Sequence, residues 1–117
     1  GVLGYYSLSA TALPQGEVPP AARKLIPRYP LVSATLIGRL AVAKTQQGQG
    51  FVALLLADAV RRAYASAASV GSTMLVVDAI EEPAAAFYVA HGFVRLPESL
   101  RLILPMQTIA ALLDGGQ

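Results

Sequence analysis

The stretch after Val42 narrows the possible folds most. A polar, glycine-rich run, Lys44-Thr45-Gln46-Gln47-Gly48-Gln49-Gly50, gives way to residues 51–68, which contain neither glycine nor proline. That segment is rich in alanine and leucine, and Asp58, Arg61, Arg62 and Ser66 recur on one side at helical spacing, so it reads as an amphipathic helix closed by Gly71. On its amino side Ser-Ala-Thr-Leu-Ile-Gly-Arg-Leu-Ala-Val, residues 33–42, reads as a strand in which Gly38 marks a bulge or a close backbone approach. On its carboxyl side residues 73–80 are almost continuously apolar and β-branched, as expected of a strand covered on both faces. Strand, helix and buried strand in that order predict an α/β layer arrangement with a right-handed parallel crossover.

The flanks add to this unit. Residues 2–9 alternate loosely and carry Tyr5 and Tyr6, which predicts a strand. Residues 11–32 hold five of the eight prolines and read as a loop with one short helix over 20–25. Glu81-Glu82-Pro83 opens a helix over 83–90 that Gly92 stops. Brief strands over 93–96 and 100–104 flank Pro97-Glu98-Ser99, and a terminal helix covers 106–113. At 117 residues we expect one domain over 1–117.

Composition closes off several chemistries. With 55% hydrophobic and 14% charged residues, the chain should bury surface against a ligand, a partner or a second copy, and a homodimer is expected. No apolar run reaches the ~18 residues of a membrane span, which predicts a soluble protein. The absence of cysteine removes thiolate chemistry and fits a cytoplasmic protein, and one histidine, His91, argues against a metal site. Seven cations (Arg23, Lys24, Arg28, Arg39, Lys44, Arg61 and Arg62) stand against the single acid Asp58 between residues 18 and 62. Such a stretch is either a solvated basic face or an anion-binding one.

The glycine-rich turn is where chemistry enters. Gly48-Gln49-Gly50 at the head of a helix offers unpaired backbone N–H groups at a positive dipole end, and the missing Cβ atoms let a phosphate approach. The spacing is neither that of a P-loop nor that of a dinucleotide fingerprint. Arg39-Leu40-Ala41-Val42 followed by Gln47-Gly48-Gln49-Gly50-Phe51 resembles the acetyl-CoA signature of the GNAT superfamily, Gln/Arg-x-x-Gly-x-Gly/Ala. Ala86-Phe87-Tyr88-Val89-Ala90-His91-Gly92-Phe93 is similar to a second GNAT element, in the family's order.

The resemblance implies a GNAT-type α/β (α+β) fold, a mixed central sheet flanked by helices, and acetyl-CoA as cofactor. Pantetheine would bond the backbone of Leu40, Ala41 and Val42; pyrophosphate would sit on Gln47, Gly48, Gln49, Gly50, Phe51, Val52 and Ala53; Phe87 would pack beside the cofactor. Val52 stands where the family prefers glycine or alanine. Tyr88 matches the general-acid position, and a phenol with an ordinary pKa near ~10 can return a proton to a departing thiolate. His91 is read as a solvated residue at a helix end.

Gly4-Tyr5-Tyr6-Ser7-Leu8-Ser9, Leu25-Ile26-Pro27-Arg28-Tyr29-Pro30 and Arg101-Leu102-Ile103-Leu104-Pro105-Met106 look like the GNAT toxins of bacterial type II toxin-antitoxin pairs. That resemblance implies acetyl transfer to the α-amino group of aminoacyl-tRNA, with Arg28, Arg39 and Lys44 toward the RNA, and silencing by a ribbon-helix-helix antitoxin. The family's first strand and following helices have no counterpart before Gly1. Two alternatives stay open: an N-acetyltransferase of small molecules or proteins, and a non-catalytic module that binds CoA or an antitoxin.

Overall fold

The sheet is built around β3 (Met74–Asp78), whose residues 74–77 are all buried, as a strand with helices on one face and irregular chain on the other must be. The computed structural model describes residues 4–26, 28–42 and 49–115, of which 39–42, 49, 51 and 114 are described in backbone only. In chain order the elements are β1 (Gly4–Pro14), a 3-10 turn (Gln15–Glu17), α1 (Pro20–Arg23), β2 (Leu31–Val42), α2 (Gln49–Val70), β3, α3 (Glu82–Ala90), β4 (Val94–Arg95), β5 (Arg101–Pro105) and α4 (Met106–Gly115). The strands form one mixed sheet in the order β1-β2-β3-β5-β4, with β2 and β3 parallel and every other neighbouring pair antiparallel.

Period-2 alternation sorts the side chains onto two faces. Ile37, Leu75, Val77, Leu102 and Leu104 face α2, α3 and α4. On that side α2 presents Ala59, Ala63 and Ala67, one turn apart and all buried, and their small side chains let the helix lie close to the sheet. The opposite face carries Leu13, Val32, Ala34, Met74, Val76 and Ile103 beneath Val18, Ala22, Ile26 and Leu96. Each fully buried leucine, isoleucine or valine here contributes about 2 kcal/mol of transfer free energy. Two glycines end helices as expected: Gly71 (φ 71°) and Gly92 (φ 97°) occupy left-handed conformations that a Cβ would strain. After Gly71 the Ser72 amide donates back to Ala67 O at 3.0 Å, closing α2.

One expectation fails in the first third. The stretch over 11–32 is not all loop, because β1 continues through Ala10, Thr11, Ala12 and Leu13 to Pro14, paired in register with residues 31–35 of β2. Small side chains hid the strand, and of the residues after Ser9 only Leu13 is buried. The helix that follows is one turn rather than two, its end pinned where the Arg23 guanidinium donates to Val18 O at 2.8 and 3.2 Å.

The parallel pair is short. β2 and β3 are matched only at Thr35/Leu75, Leu36/Val76 and Ile37/Val77, after which β2 runs on to Val42 beside β1 alone. The paired end is also tied by side chains, since Thr35 Oγ1 donates to Ser72 Oγ at 2.8 Å and Ser72 in turn donates to Met74 O at 3.2 Å, all buried. Beyond Ile37 the register of β1 and β2 slips between Ser7/Gly38 and Tyr5/Ala41, so Tyr6 stands opposite both Arg39 and Leu40. That is a β-bulge, which bends β2 as it leaves β3. Gly38 permits it: a Cβ there would meet Ser7 Oγ at 2.8 Å.

Candidate cofactor and catalytic site

Where β2 parts from β3, the backbone of residues 38–42 has a strand neighbour on one side only, among the described residues. Its other edge keeps N–H and C=O groups that a ladder would otherwise use, so it can hydrogen-bond an extended, amide-bearing chain. The next described element is the amino end of α2, where the first N–H groups have no intrahelical partner. No acidic residue stands in that first turn, so nothing there repels an anion. Gly50 is exposed, and a Cβ built on it would meet nothing within 4 Å. Val52 and Ala53 are half-buried on the same turn, so the β-branched side chain is partly sequestered.

α3 enters after β3 and brings Tyr88 into the buried cluster that also contains Ile37 and Val77, the last matched pair of the parallel strands. The tyrosine is 7% exposed, with edge-on contacts to Phe87 and Phe93, both at 5.5 Å between ring centroids. Among the described residues none bonds its hydroxyl, and no buried polar side-chain atom lacks a partner. Burial pushes the phenol above its ordinary pKa, because the phenolate would lose its solvation. At neutral pH Tyr88 is a proton donor only.

Phe87 is half-buried against the same cluster and stacks at a tilt on His91, 4.4 Å between centroids. His91 is exposed and its Nδ1 lies 2.8 Å from Phe87 O. Phe93 is buried. Gln47, Gly48 and Lys44 lie outside the described residues, and Leu40, Ala41, Val42, Arg39, Gln49 and Phe51 are placed through their backbone. Of the three basic residues expected toward RNA, Arg28 and Arg39 stand far apart, and Lys44 lies outside the described residues. Arg28, exposed, lines a cavity of about 490 Å³ with Arg23 and Lys24 at the start of β2. Arg39 lies beyond Ile37 on the same strand, about 25 Å further on at the rise of an extended chain.

Several ionic contacts were not visible in the sequence. Arg101 forks onto Asp78 at 2.7 and 2.8 Å, and Arg95 onto Glu82 at 2.6 and 2.9 Å. The first pair could have been found had the register been known, since Asp78 and Arg101 are cross-strand partners. Tyr6 and Asp58 meet across 52 residues, and no local pattern announces that contact.

No protein-family model matches the chain. It is 34% identical over 113 residues to the tRNA-acetylating toxin of Mycobacterium tuberculosis (strain ATCC 25618 / H37Rv), covering 96% of this chain and 67% of the toxin. Among solved structures, a tyrosine-to-phenylalanine mutant of KacT superposes with a TM-score of 0.84 at 36% identity, over 94% of this chain and 66% of that one. AtaT complexed with acetyl-methionyl-tRNAfMet gives 0.84 at 33% identity, over 95% and 66%. An AtaT mutant bound to acetyl-CoA and the C-terminus of the antitoxin AtaR gives 0.74 at 29% identity, over 96% and 65%. The chain thus spans about two thirds of the length of these proteins. Its mixed sheet, parting strands and ordered motifs are those expected of a GNAT fold, and it belongs to the GNAT acetyltransferase toxins of toxin-antitoxin systems.

Proposed function

We propose that residues 1–117 form a GNAT domain that binds acetyl-CoA and transfers its acetyl group to the α-amino group of aminoacyl-tRNA in the bacterial cytoplasm. The observation that carries this is the parting of β2 from β3 just before, along the chain, the open amino end of α2, with Tyr88 buried in the core on the helix side of the same sheet. The relative that acetylates tRNA and the AtaT complexes with acetyl-methionyl-tRNAfMet and with acetyl-CoA support the same reading.

The residues present fit the cofactor: a free strand edge for the amides of pantetheine, an open Gly50 and a carboxylate-free first turn for phosphate. Leu40, Ala41 and Val42 would hold pantetheine through their backbone. Gln47, Gly48, Gln49, Gly50, Phe51, Val52 and Ala53 would hold pyrophosphate, and Phe87 would close the apolar side. When bound, acetyl-CoA supplies a thioester whose carbonyl carbon an amine can attack and whose sulfur leaves with the electron pair. Tyr88 is protonated at neutral pH, the more firmly for being buried, and its hydroxyl is the donor from which the leaving sulfur is protonated, while the proton shed by the attacking nitrogen restores the phenol by way of solvent. An α-amino group has an ordinary pKa near ~8, so at neutral pH enough is deprotonated to attack without a dedicated base.

Arg28, Arg39 and Lys44 would meet the RNA by charge rather than by sequence. A ribbon-helix-helix antitoxin is the partner this reading implies, and AtaT bound to the C-terminus of AtaR supports an antitoxin of some kind. Exposed Leu54, Ile80, Leu112 and Leu113 leave apolar surface for such a partner or for a homodimer. The test is acetyl transfer from labelled acetyl-CoA to charged tRNA, with a small amine and a peptide as competing acceptors. Transfer to charged tRNA that weakens steeply with salt is expected. CoA binding without transfer to any acceptor would leave a non-catalytic module instead.

A further inference from the structure

The Tyr6 hydroxyl donates to Asp58 Oδ2 at 2.5 Å, joining β1 to α2. Tyr6 occupies the one position of β1 that faces two residues of β2, so it stands at the bulge where β2 turns away from β3. Its ring packs against the helical core, and the Arg62 guanidinium carbon lies 5.9 Å from the ring centroid. Asp58 is fixed from its own helix as well, by Arg62 Nε at 3.3 Å and Arg61 at 3.6 Å. The tyrosine's hydrogen bond, ahead of the neighbouring arginines, holds the carboxyl below its usual range, in keeping with a carboxylate acceptor.

The placement matters because two parts of the proposed cofactor seat belong to different elements. One is the free edge of β2 over residues 38–42; the other is the first turn of α2. Residues 43–48 join them along the chain. Through space, one polar join runs from the bulge by way of Tyr6 to Asp58, nine residues into α2 from Gln49. A ligand that bonds both parts with a single chain requires their separation to be set in advance, since any spread of separations costs affinity.

Resting on the acetyl-CoA reading above, we propose that Tyr6 and Asp58 are positioning residues that hold the free half of β2 and the head of α2 at the separation the cofactor spans. Neither touches the reacting atoms. Tyr6 and Asp58 are both partly exposed, so water can replace each partner, and loss of the bond costs the fold little. What is lost is the coupling between the two parts of the site.

The experiment compares Tyr6→Phe, Asp58→Ala and the double variant, reading CoA affinity by calorimetry, KM for acetyl-CoA, kcat and thermal midpoint. Each single change should weaken CoA and raise KM about fivefold while kcat stays near wild type, the lower end of ordinary site-to-site coupling. The double variant should be no weaker than the poorer single one, because both remove the same bond. Asp58→Asn, whose amide oxygen can still accept from Tyr6, should recover most of the affinity. Unchanged CoA affinity in both single variants overturns the proposal, as do losses that add in full or a failure of Asp58→Asn to recover. Wild-type protein that binds no CoA overturns the cofactor reading together with it, an outcome distinct from wild-type binding with indifferent variants.

Discussion

The two halves of β2 are one strand with two kinds of surroundings. Residues 31–37 are paired on both sides at their inner end, tied by the buried Thr35–Ser72 contact to the chain that enters β3, and sandwiched between α2 and the 15–26 segment. Residues 38–42 are paired on one side among the described residues, bulged opposite Tyr6, and precede the open amino end of α2 along the chain. On the proposed reading, the first half is scaffold and the second is the edge that holds the cofactor. A single strand carries both because β3 stops at Asp78 while β2 does not.

If that division holds, substitutions should separate stability from binding. The largest effect belongs to the paired half: Leu75→Ala, at a fully buried position opposite Thr35, should cost about 3 kcal/mol in denaturant unfolding while CoA affinity at low temperature stays unchanged. Next, Tyr88→Phe should lower kcat about 100-fold with little change in KM for acetyl-CoA or in melting temperature. The same hydroxyl sets a pH limit. Its raised pKa keeps the proton in place to beyond the ordinary value near ~10, so acetyl transfer should fall as pH rises through that higher value, and Tyr88→Phe should lack this alkaline limb.

Gly38 stands at the border between the halves. Gly38→Ala should cost about 1 kcal/mol, because its Cβ meets Ser7 Oγ, and Ser7→Ala in the same chain should recover part of it. The smallest effect is at Asp78, where the carboxyl is depressed first by the Arg101 hydrogen bond against some desolvation. A depressed carboxyl stabilises above its unfolded pKa near ~3.9, and that contribution disappears as pH falls through the lower folded value. The pair is half-exposed and screened, so Asp78→Asn should lose about 0.5 kcal/mol at pH ~7 and nothing once wild-type Asp78 is itself protonated.

The sequence was legible where residues speak locally. Residues 51–68 and 73–80 announced α2 and β3 through glycine-free helical spacing and a continuous apolar run, and Gly71 and Gly92 marked both helix ends. The outer half of β1 was not legible, because Ala10, Thr11 and Ala12 carry no apolar alternation and the strand is held by its ladder to β2. The parting of the parallel strands depends on register, which no segment encodes by itself. Tyr88 was singled out through a motif, but its burial against Phe87, Phe93 and the sheet depends on tertiary packing that no local pattern carries. The Tyr6–Asp58 bond joins residues 52 apart and had no signal at all.

The most direct measurement is to titrate CoA into isotopically labelled protein and follow the backbone amides. Shifts should concentrate in residues 38–42 and 49–53 and leave residues 31–36 and 74–77 in place. Shifts centred on the doubly paired half of β2, or an absence of shifts at saturating CoA, would contradict the division of the strand into scaffold and site.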